Sequence, residues 1–216
     1  MLTYDNTIII LTSTINVNHN KSWLYQRDMN MRLSIYLKAV KEWLDKTKFK
    51  ICLVENSGYK FDCLDKYSEK YKDRFDIISF DEKEEAMHLL FNTSKGASEI
   101  FSINYAYNKL LKNKKLQNIE YVIKITARYY IPDFYNYLEN KNFLAIRQNN
   151  NDRCEMVGCH ISMFYNVFDP NIFSGHVESV YKARIDGIMK DKVLNCSVFN
   201  IESTPRGGAN ESFNTI

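Results

Sequence analysis

IEYVIKITARYYIP, residues Ile119 to Pro132, is an apolar run that breaks abruptly into charge. Its first half, with Tyr121, Val122, Ile123 and Ile125, has the β-branched and aromatic make-up of a buried strand. Lys124, Thr126, Arg128, Tyr129 and Tyr130 arrive in quick succession, and Pro132, which lacks an amide hydrogen, stops any continuation. Two cations, a hydroxyl and two phenols fill a core poorly. At the end of a central strand they would instead bring charge and hydrogen bonds to the carboxyl edge of the sheet, where open α/β folds bind their ligands.

The elements upstream fit such a sheet. Thr7 to Val17 opens with the apolar run Ile8 to Leu11 and turns to Thr12, Ser13 and Thr14, the pattern of a buried parallel strand with hydroxyls at its carboxyl end. Between Tyr25 and Lys46, Met29, Leu33, Tyr36, Leu37, Val40, Trp43 and Leu44 recur at helical spacing and predict a long amphipathic helix. A second strand over Phe49 to Val54 ends in Glu55-Asn56-Ser57-Gly58, a polar turn with a glycine suited to a left-handed position. A short helix near Cys63 to Tyr71 leads to a third strand, Phe75 to Phe80, and the acidic run Asp81 to Glu85 reads as a solvated helix start. Ser94 is placed to cap a helix reaching about Leu111, with Ile100, Ile103, Tyr107 and Leu110 on one face.

Downstream, Asp133 to Asn140 reads as a short helix, and Phe143 to Arg147 and Glu155 to Phe164 as strands separated by a polar turn. Gly158 lies inside the second of these, the mark of a bulge or a close backbone approach. Gly175-His176-Val177-Glu178 leads into a helix over Val180 to Met189, and Val193 to Ile201 reads as a last strand. The alternation of strands and helices over the first 145 residues predicts an α/β fold, a mostly parallel Rossmann-like central sheet with helices on both faces. The later, loop-rich part would add a smaller region beside it. No linker or repeat divides the chain, so residues 1–216 read as one domain.

Composition narrows the function. The net charge of +3, with lysines scattered among acids, is too small to imply nucleic-acid binding by bulk electrostatics, so none is expected, and it is consistent with a small anionic ligand. Five cysteines, an odd number without a CxxC pair, suit reduced thiols. Cys154, Cys159 and His160 in CEMVGCH match no zinc spacing, so buried thiols are expected there. The apolar part of TIIILTSTINV falls short of the ~20 residues that span a bilayer, and no leader is evident; the expectation is a soluble cytoplasmic chain, with peripheral membrane contact left open.

Crossover handedness brings the carboxyl ends of parallel strands to one edge. A pocket there would gather Thr12, Ser13, Glu55, Asn56, Ser57 and Gly58 as acceptors and backbone for a base and ribose. Lys95, Lys124 and Arg128 would neutralise a diphosphate, Arg as a fork and Lys as a point charge, beside Thr126 and Tyr129. Gly96 would let the ligand approach the amides at the start of the helix after Ser94. Tyr129 and Tyr130 would stack on a ring or simply pack. For a general base, Glu178 and His176 sit at an accessible helix start, with Glu155 and His160 as rivals; helix-end charge compensation and core packing are the plainer roles for these groups. Arg206, Gly207 and Gly208 would form a backbone nest over phosphates or a plain surface turn.

Taken together, Thr93-Ser-Lys-Gly-Ala-Ser-Glu99, YVIKITARYYIP, RCEMVGCH, GHVE and TPRGGANE resemble a group of small GT-A-fold glycosyltransferases, of the bacterial capsule and lipopolysaccharide type and the large-DNA-virus type. The resemblance spans roughly Thr7 to Glu211 and is strongest at Lys95-Gly96, Lys124-Ile125-Thr126 and Arg128-Tyr129. It implies a nucleotide-sugar donor and a glycan or glycoconjugate acceptor, in the bacterial cytosol or the cytoplasm of an infected host. It also implies a nucleotide-sugar half (1–145) and an acceptor and catalytic half (146–216). Many such enzymes hold Mn or Mg with an Asp-x-Asp motif after the central strand; here that segment is Lys124-Ile125-Thr126-Ala127-Arg128 and contains no carboxylate. A divalent metal therefore has no assigned ligands, although Glu155, Asp152 and Asp169 could supply one. Two other functions stay open. A nucleotidyltransferase acting on sugar phosphates shares the sheet and cations but normally has a glycine-rich turn after the first strand, which TSTINVNHN lacks. A glycan-binding module of the same fold would need no donor.

Overall fold

Side chains alternate along β-strands, and here both faces of the central strands are apolar, so the sheet must be covered on both sides. The computed structural model of the chain describes residues 1–216 apart from 19, 23, 90, 149–154, 172–176, 197 and 208–210, and apart from the side chains of 177–180 and 182. In chain order the elements are β1 (Thr7–Ser13), α1 (Met29–Lys46), β2 (Lys50–Glu55), α2 (Asp65–Lys70), β3 (Phe75–Ser79), α3 (Glu82–Glu85), α4 (Lys95–Lys112) and β4 (Tyr121–Thr126). They continue with α5 (Phe134–Leu138), β5 (Ala145–Gln148), β6 (Met156–His160), α6 (Phe164–Val167), α7 (Val177–Asp186), β7 (Val193–Cys196), β8 (Asn200–Pro205) and β9 (Ser212–Thr215).

Seven strands form one sheet in the order β3-β2-β1-β4-β6-β5-β7. β3, β2, β1 and β4 pair in parallel, β6 runs antiparallel to both β4 and β5, and β5 pairs in parallel with β7. The α/β architecture expected from the strand–helix alternation is therefore present, with one reversed strand and a small separate β8–β9 sheet. Ile9, Leu11, Ile51, Leu53, Ile123 and Ile125 face one core, closed by Tyr36, Val40 and Trp43 of α1 and by Phe134 and Leu138 of α5. Ile8, Ile10, Cys52, Val54, Val122 and Val157 face the other, closed by α4, α6 and α7. Among the described residues no helix is long and apolar enough to cross a membrane.

Three boundaries differ from the sequence reading. The first helix begins at Met29, because the Asp28 carboxylate accepts from the Met31 amide at 2.7 Å and caps it there. Tyr25 to Arg27 lie outside any helix or strand. The strand predicted to Phe164 stops at His160, whose side chain accepts from the Ser162 amide to start a short helical turn. Val193 to Ile201 is two strands: β7 extends the main sheet, whereas Asn200–Pro205 pairs with Ser212–Thr215 in the small one. No Gly or Pro marks that break in the sequence.

Gly158 is where β6 meets β4. A Cβ added there would lie 2.8 Å from the Val122 carbonyl oxygen and 2.9 Å from Ile123 Cγ1. The glycine expected to permit a close approach does so across the middle of the sheet.

Candidate functional site at the strand ends

The chain passes from β1 outward to β2 and β3, then returns to β4 on the other side of β1. Strand order reverses at that point, and a crevice opens at the carboxyl ends of the strands. It holds a cavity of about 640 Å³. Its walls are the ends of β1 and β4, the turn after β2, the start of α3, the first two turns of α4, the segment between β1 and α1 with the first two turns of α1, Glu155 before β6, and the loop after β8.

Of the residues singled out in the sequence, Thr12, Ser13, Asn56, Ser57, Lys95, Thr126, Arg128, Tyr129, Glu155, Arg206 and Gly207 line this cavity. Thr12 and Thr126 are direct neighbours across the β1–β4 pair. Glu155 stands next to them: its amide carbonyl accepts from the Thr126 amide at 3.1 Å, and its carboxylate accepts from the Thr126 hydroxyl at 2.9 Å. Arg206 Nε lies 3.3 Å from the same carboxylate. Ser94 caps α4 as expected, accepting from the Ala97 amide at 3.2 Å.

Other expected residues lie elsewhere. Lys124 does not line the cavity. It is 1% exposed, two residues short of the strand end, and shares the α4 face with Val122, where it pairs with Glu99. Glu55 is fully buried and spends its carboxylate on the turn, accepting from the amides of Ile15 (2.8 Å), Ser57 (2.9 Å) and Tyr59 (2.9 Å) and from the Ser57 hydroxyl. Burial pushes its pKa up, opposed by those four hydrogen bonds. It shapes the wall instead of meeting a ligand. Gly58 takes the left-handed conformation (φ +78°) in the same turn, outside the cavity lining, as is Gly96, the second residue of α4.

His160 is at the wrong end of the sheet. It pairs with Tyr121, the first residue of β4, about 17 Å of strand away from Thr126. Its Nδ1 is 2.8 Å from the Ser162 hydroxyl. Neighbouring Cys159 is buried, and burial raises its thiol pKa. Tyr130 packs against Trp43 with ring centroids 5.1 Å apart, and Tyr129 is buried with its carbonyl accepting from the Trp43 indole at 2.8 Å, so packing dominates for both. His176 and Gly208 lie outside the described residues, as do Cys154, Asp152 and the side chain of Glu178.

The most distinctive part of the cavity was only half legible in the sequence, which singled out Arg128 but not Arg32. Arg32 and Arg128 both line it, 3% and 7% exposed, and both guanidinium groups sit over the Tyr36 ring at 5.5 and 5.3 Å. The Tyr36 hydroxyl accepts from Arg32 Nη2 at 2.7 Å and from Arg128 Nη2 at 3.2 Å. Gln26 serves both: its backbone carbonyl accepts from Arg32 Nη1 at 2.9 Å, and its side-chain oxygen accepts from Arg128 Nη1. Arg32 Nε donates to the Thr14 carbonyl at 2.6 Å. Gly207 closes this corner, and its carbonyl accepts from the Tyr25 amide at 3.0 Å.

Neither arginine makes an ion pair among the described residues. Burial lowers the Arg32 pKa most, and the charge of Arg128 lowers it further, against the Tyr36 phenol and the Glu55 carboxylate. Two like charges held side by side out of water are unfavourable unless an anion joins them. The signal in the sequence was the stripe: Arg32 is four residues before Tyr36 and shares the buried face of α1 with Val40 and Trp43.

From Thr14 a polar network continues along the cavity lining. The Thr14 hydroxyl donates to Asn56 Oδ1 at 2.7 Å, and Asn56 Nδ2 donates to Glu82 at 3.1 Å. Glu82 also accepts from the Ser98 hydroxyl at 2.9 Å and pairs with Lys21 at 3.2 Å. Such a wall of hydroxyls and amides can read the hydrogen-bonding edge of a base or sugar.

No protein-family model matches this chain, and no curated protein matches it. Among solved structures, it is similar to an inferred nucleotide-diphospho-sugar transferase from Desulfovibrio desulfuricans G20, at 12% identity over 89% of this chain and 80% of that one, with a TM-score of 0.49. It is also similar to a glycosyltransferase involved in glycosylation of the major capsid of PBCV-1, at 12% identity over 88% of this chain and 81% of that one, with a TM-score of 0.42. At this level of similarity neither bears on what the cavity binds.

Proposed function

We propose that the chain is a glycosyltransferase that moves a sugar from a nucleotide-diphosphate sugar to a hydroxyl of a glycan or glycoconjugate acceptor. The observation that carries this reading is the pair of buried guanidinium groups, Arg32 and Arg128, facing the cavity with no carboxylate partner among the described residues. Forked donors of this kind match phosphate oxygens two at a time. Thr12, Ser13, Asn56 and Ser57 would hold the nucleoside against the polar wall, with Lys95 at the α4 start drawing the phosphates inward.

In the transfer, the acceptor oxygen forms a bond to the anomeric carbon as the bond from that carbon to the β-phosphate oxygen breaks. The acceptor proton passes to a carboxylate, and the nucleoside diphosphate leaves with the negative charge. Preorganised cations beside the leaving group stabilise that charge as it develops. Glu155 is the base we favour among the described residues, because it lines the cavity beside Thr126. Glu178 and His176 remain candidates for the same task, and the 146–216 part is proposed as the acceptor side. A cytoplasmic setting is part of the proposal.

Thermal-shift and calorimetric screening against UDP-, GDP- and CMP-sugars tests it. A nucleotide-diphosphate sugar should bind and be slowly hydrolysed to the nucleoside diphosphate, and CMP-sugars, with one phosphate, should bind more weakly. Binding of free glycans without any donor would refute the transferase in favour of the glycan-binding module. Turnover of a sugar phosphate with a nucleoside triphosphate would refute it in favour of the nucleotidyltransferase.

A further inference from the structure

We infer that guanidinium groups, and not a divalent cation, neutralise the diphosphate in this cavity, with Arg32 and Arg128 clamping it between them. This rests on the donor reading above and concerns how that donor is held.

The first argument is the donor set for a metal. Hard divalent cations need oxygen ligands with lone pairs to spare, carboxylates above all. Four acids line the cavity among the described residues, and each is already engaged. Asp81 caps α3, accepting from the Lys83 amide at 2.9 Å. Glu82 is held by Lys21, Ser98 and Asn56. Glu99 pairs with buried Lys124 and accepts from the Thr12 hydroxyl at 3.1 Å. Glu155 is held by Arg206 and Thr126. Three of the four thus carry an internal cation that a metal would have to displace, and the strand end itself offers Thr126-Ala127-Arg128. The described residues do not fit a divalent metal site.

The second argument is charge. Lys21, Arg32, Lys83, Lys95, Arg128 and Arg206 line the cavity against those four acids, a surplus of two positive charges in the lining. A sugar nucleoside diphosphate brings two negative charges and balances the lining by itself. A metal–diphosphate complex would arrive near neutral and leave the buried arginines as they are.

The third is hydrogen-bonding capacity. A guanidinium carries five N–H bonds. Arg32 spends three and Arg128 two on Thr14, Gln26 and Tyr36. Both residues line the cavity, so the donors left over are the ones that phosphate oxygens there would take.

The test is calorimetry on the whole chain with inorganic pyrophosphate, UDP and GDP, first in EDTA and then in excess Mg²⁺ or Mn²⁺. Pyrophosphate and one of the nucleotides should bind in EDTA, and metal should change the affinity less than twofold or weaken it by chelating the ligand. Arg32→Met and Arg128→Met should each weaken binding at least tenfold, with circular dichroism checking the fold; the metal comparison needs only the native chain. Binding that appears only with metal, or tightens tenfold with it, would overturn the inference. Pyrophosphate binding in EDTA without any nucleotide-sugar binding would sink the donor reading while leaving the arginine clamp intact. A nucleotide sugar that binds only with Mn²⁺ would do the reverse.

Discussion

Replacing Gly158 with alanine tests how tightly β6 is seated on β4. The added methyl would meet the Val122 carbonyl oxygen at 2.8 Å, Ile123 Cγ1 at 2.9 Å and Ile123 Cα at 3.0 Å. Ordinary contact begins near 3.4 Å. Two of the three atoms are backbone in the middle strand of a seven-stranded sheet, so the strands must part by about half an ångström instead of a side chain rotating away. Overpacking of this kind costs about 3 kcal/mol, at the upper end of its usual range. Against this, alanine loses less chain entropy on folding than glycine, a gain of ~0.4–1 kcal/mol. The overlap wins, and a net loss of about 2 kcal/mol corresponds to a fall in Tm of roughly 4–8 °C for a chain of this size. Urea and thermal unfolding of Gly158→Ala measure it, with Gly187→Ala as a control, since that methyl would meet only the Arg184 carbonyl at 3.3 Å. A Gly158→Ala protein within about 0.5 kcal/mol of the native chain would refute the close β4–β6 approach.

Gly207→Ala should spare stability and hurt ligand binding, because its methyl would sit 2.6 Å from Arg128 Nη2 and 3.0 Å from Cζ, displacing that guanidinium. Loss of one charge-assisted hydrogen bond, about 1.5–3 kcal/mol, predicts roughly tenfold to hundredfold weaker UDP or GDP binding by calorimetry at nearly constant Tm. Lys124→Met leaves Glu99 without its cation and should destabilise by about 2 kcal/mol, less than a fully buried pair because Glu99 is 21% exposed. Lys124→Met combined with Glu99→Gln should recover most of that loss in urea unfolding, and no recovery would mean that the ion pair is not the cause. The Tyr71 hydroxyl first, then Lys70 and Tyr67, hold the Asp45 carboxyl below the usual carboxylate range. A depressed carboxyl stabilises the fold above its unfolded pKa and loses that contribution as the pH falls through the folded value. Asp45→Asn should therefore cost on the order of 0.5 kcal/mol at pH 7, a cost that disappears as the pH falls through the folded-state value, as read from unfolding curves across pH.

What the sequence could tell depended on whether a residue's surroundings were local. The parallel strands, their polar ends and the Ser94 cap were legible because apolar runs, hydroxyls after them and a capping serine are all neighbours in the chain. Thr12, Thr126 and Arg128 could be placed at one edge for the same reason. Lys124 was misplaced because its facing depends on parity: it shares the side of Val122, and that side belongs to α4. Glu55 looked like a ligand for a nucleoside because nothing in the sequence shows that the amides of Ile15, Ser57 and Tyr59 fold back onto it. Gln26 and Arg32 stayed hidden in a helical pattern read from Tyr25 onward. The cap at Asp28 leaves Gln26 outside the helix, where it bonds both arginines.

The corner that holds Arg128 is closed by Gly207, through the Tyr25 amide. Tyr25 precedes β2 and Gly207 follows β8, so six of the seven strands of the main sheet lie between them in the chain. The strands of the main sheet all precede Gly207 in the chain, so the platform can be complete while the pocket still lacks the side that β8 and the loop beyond it supply.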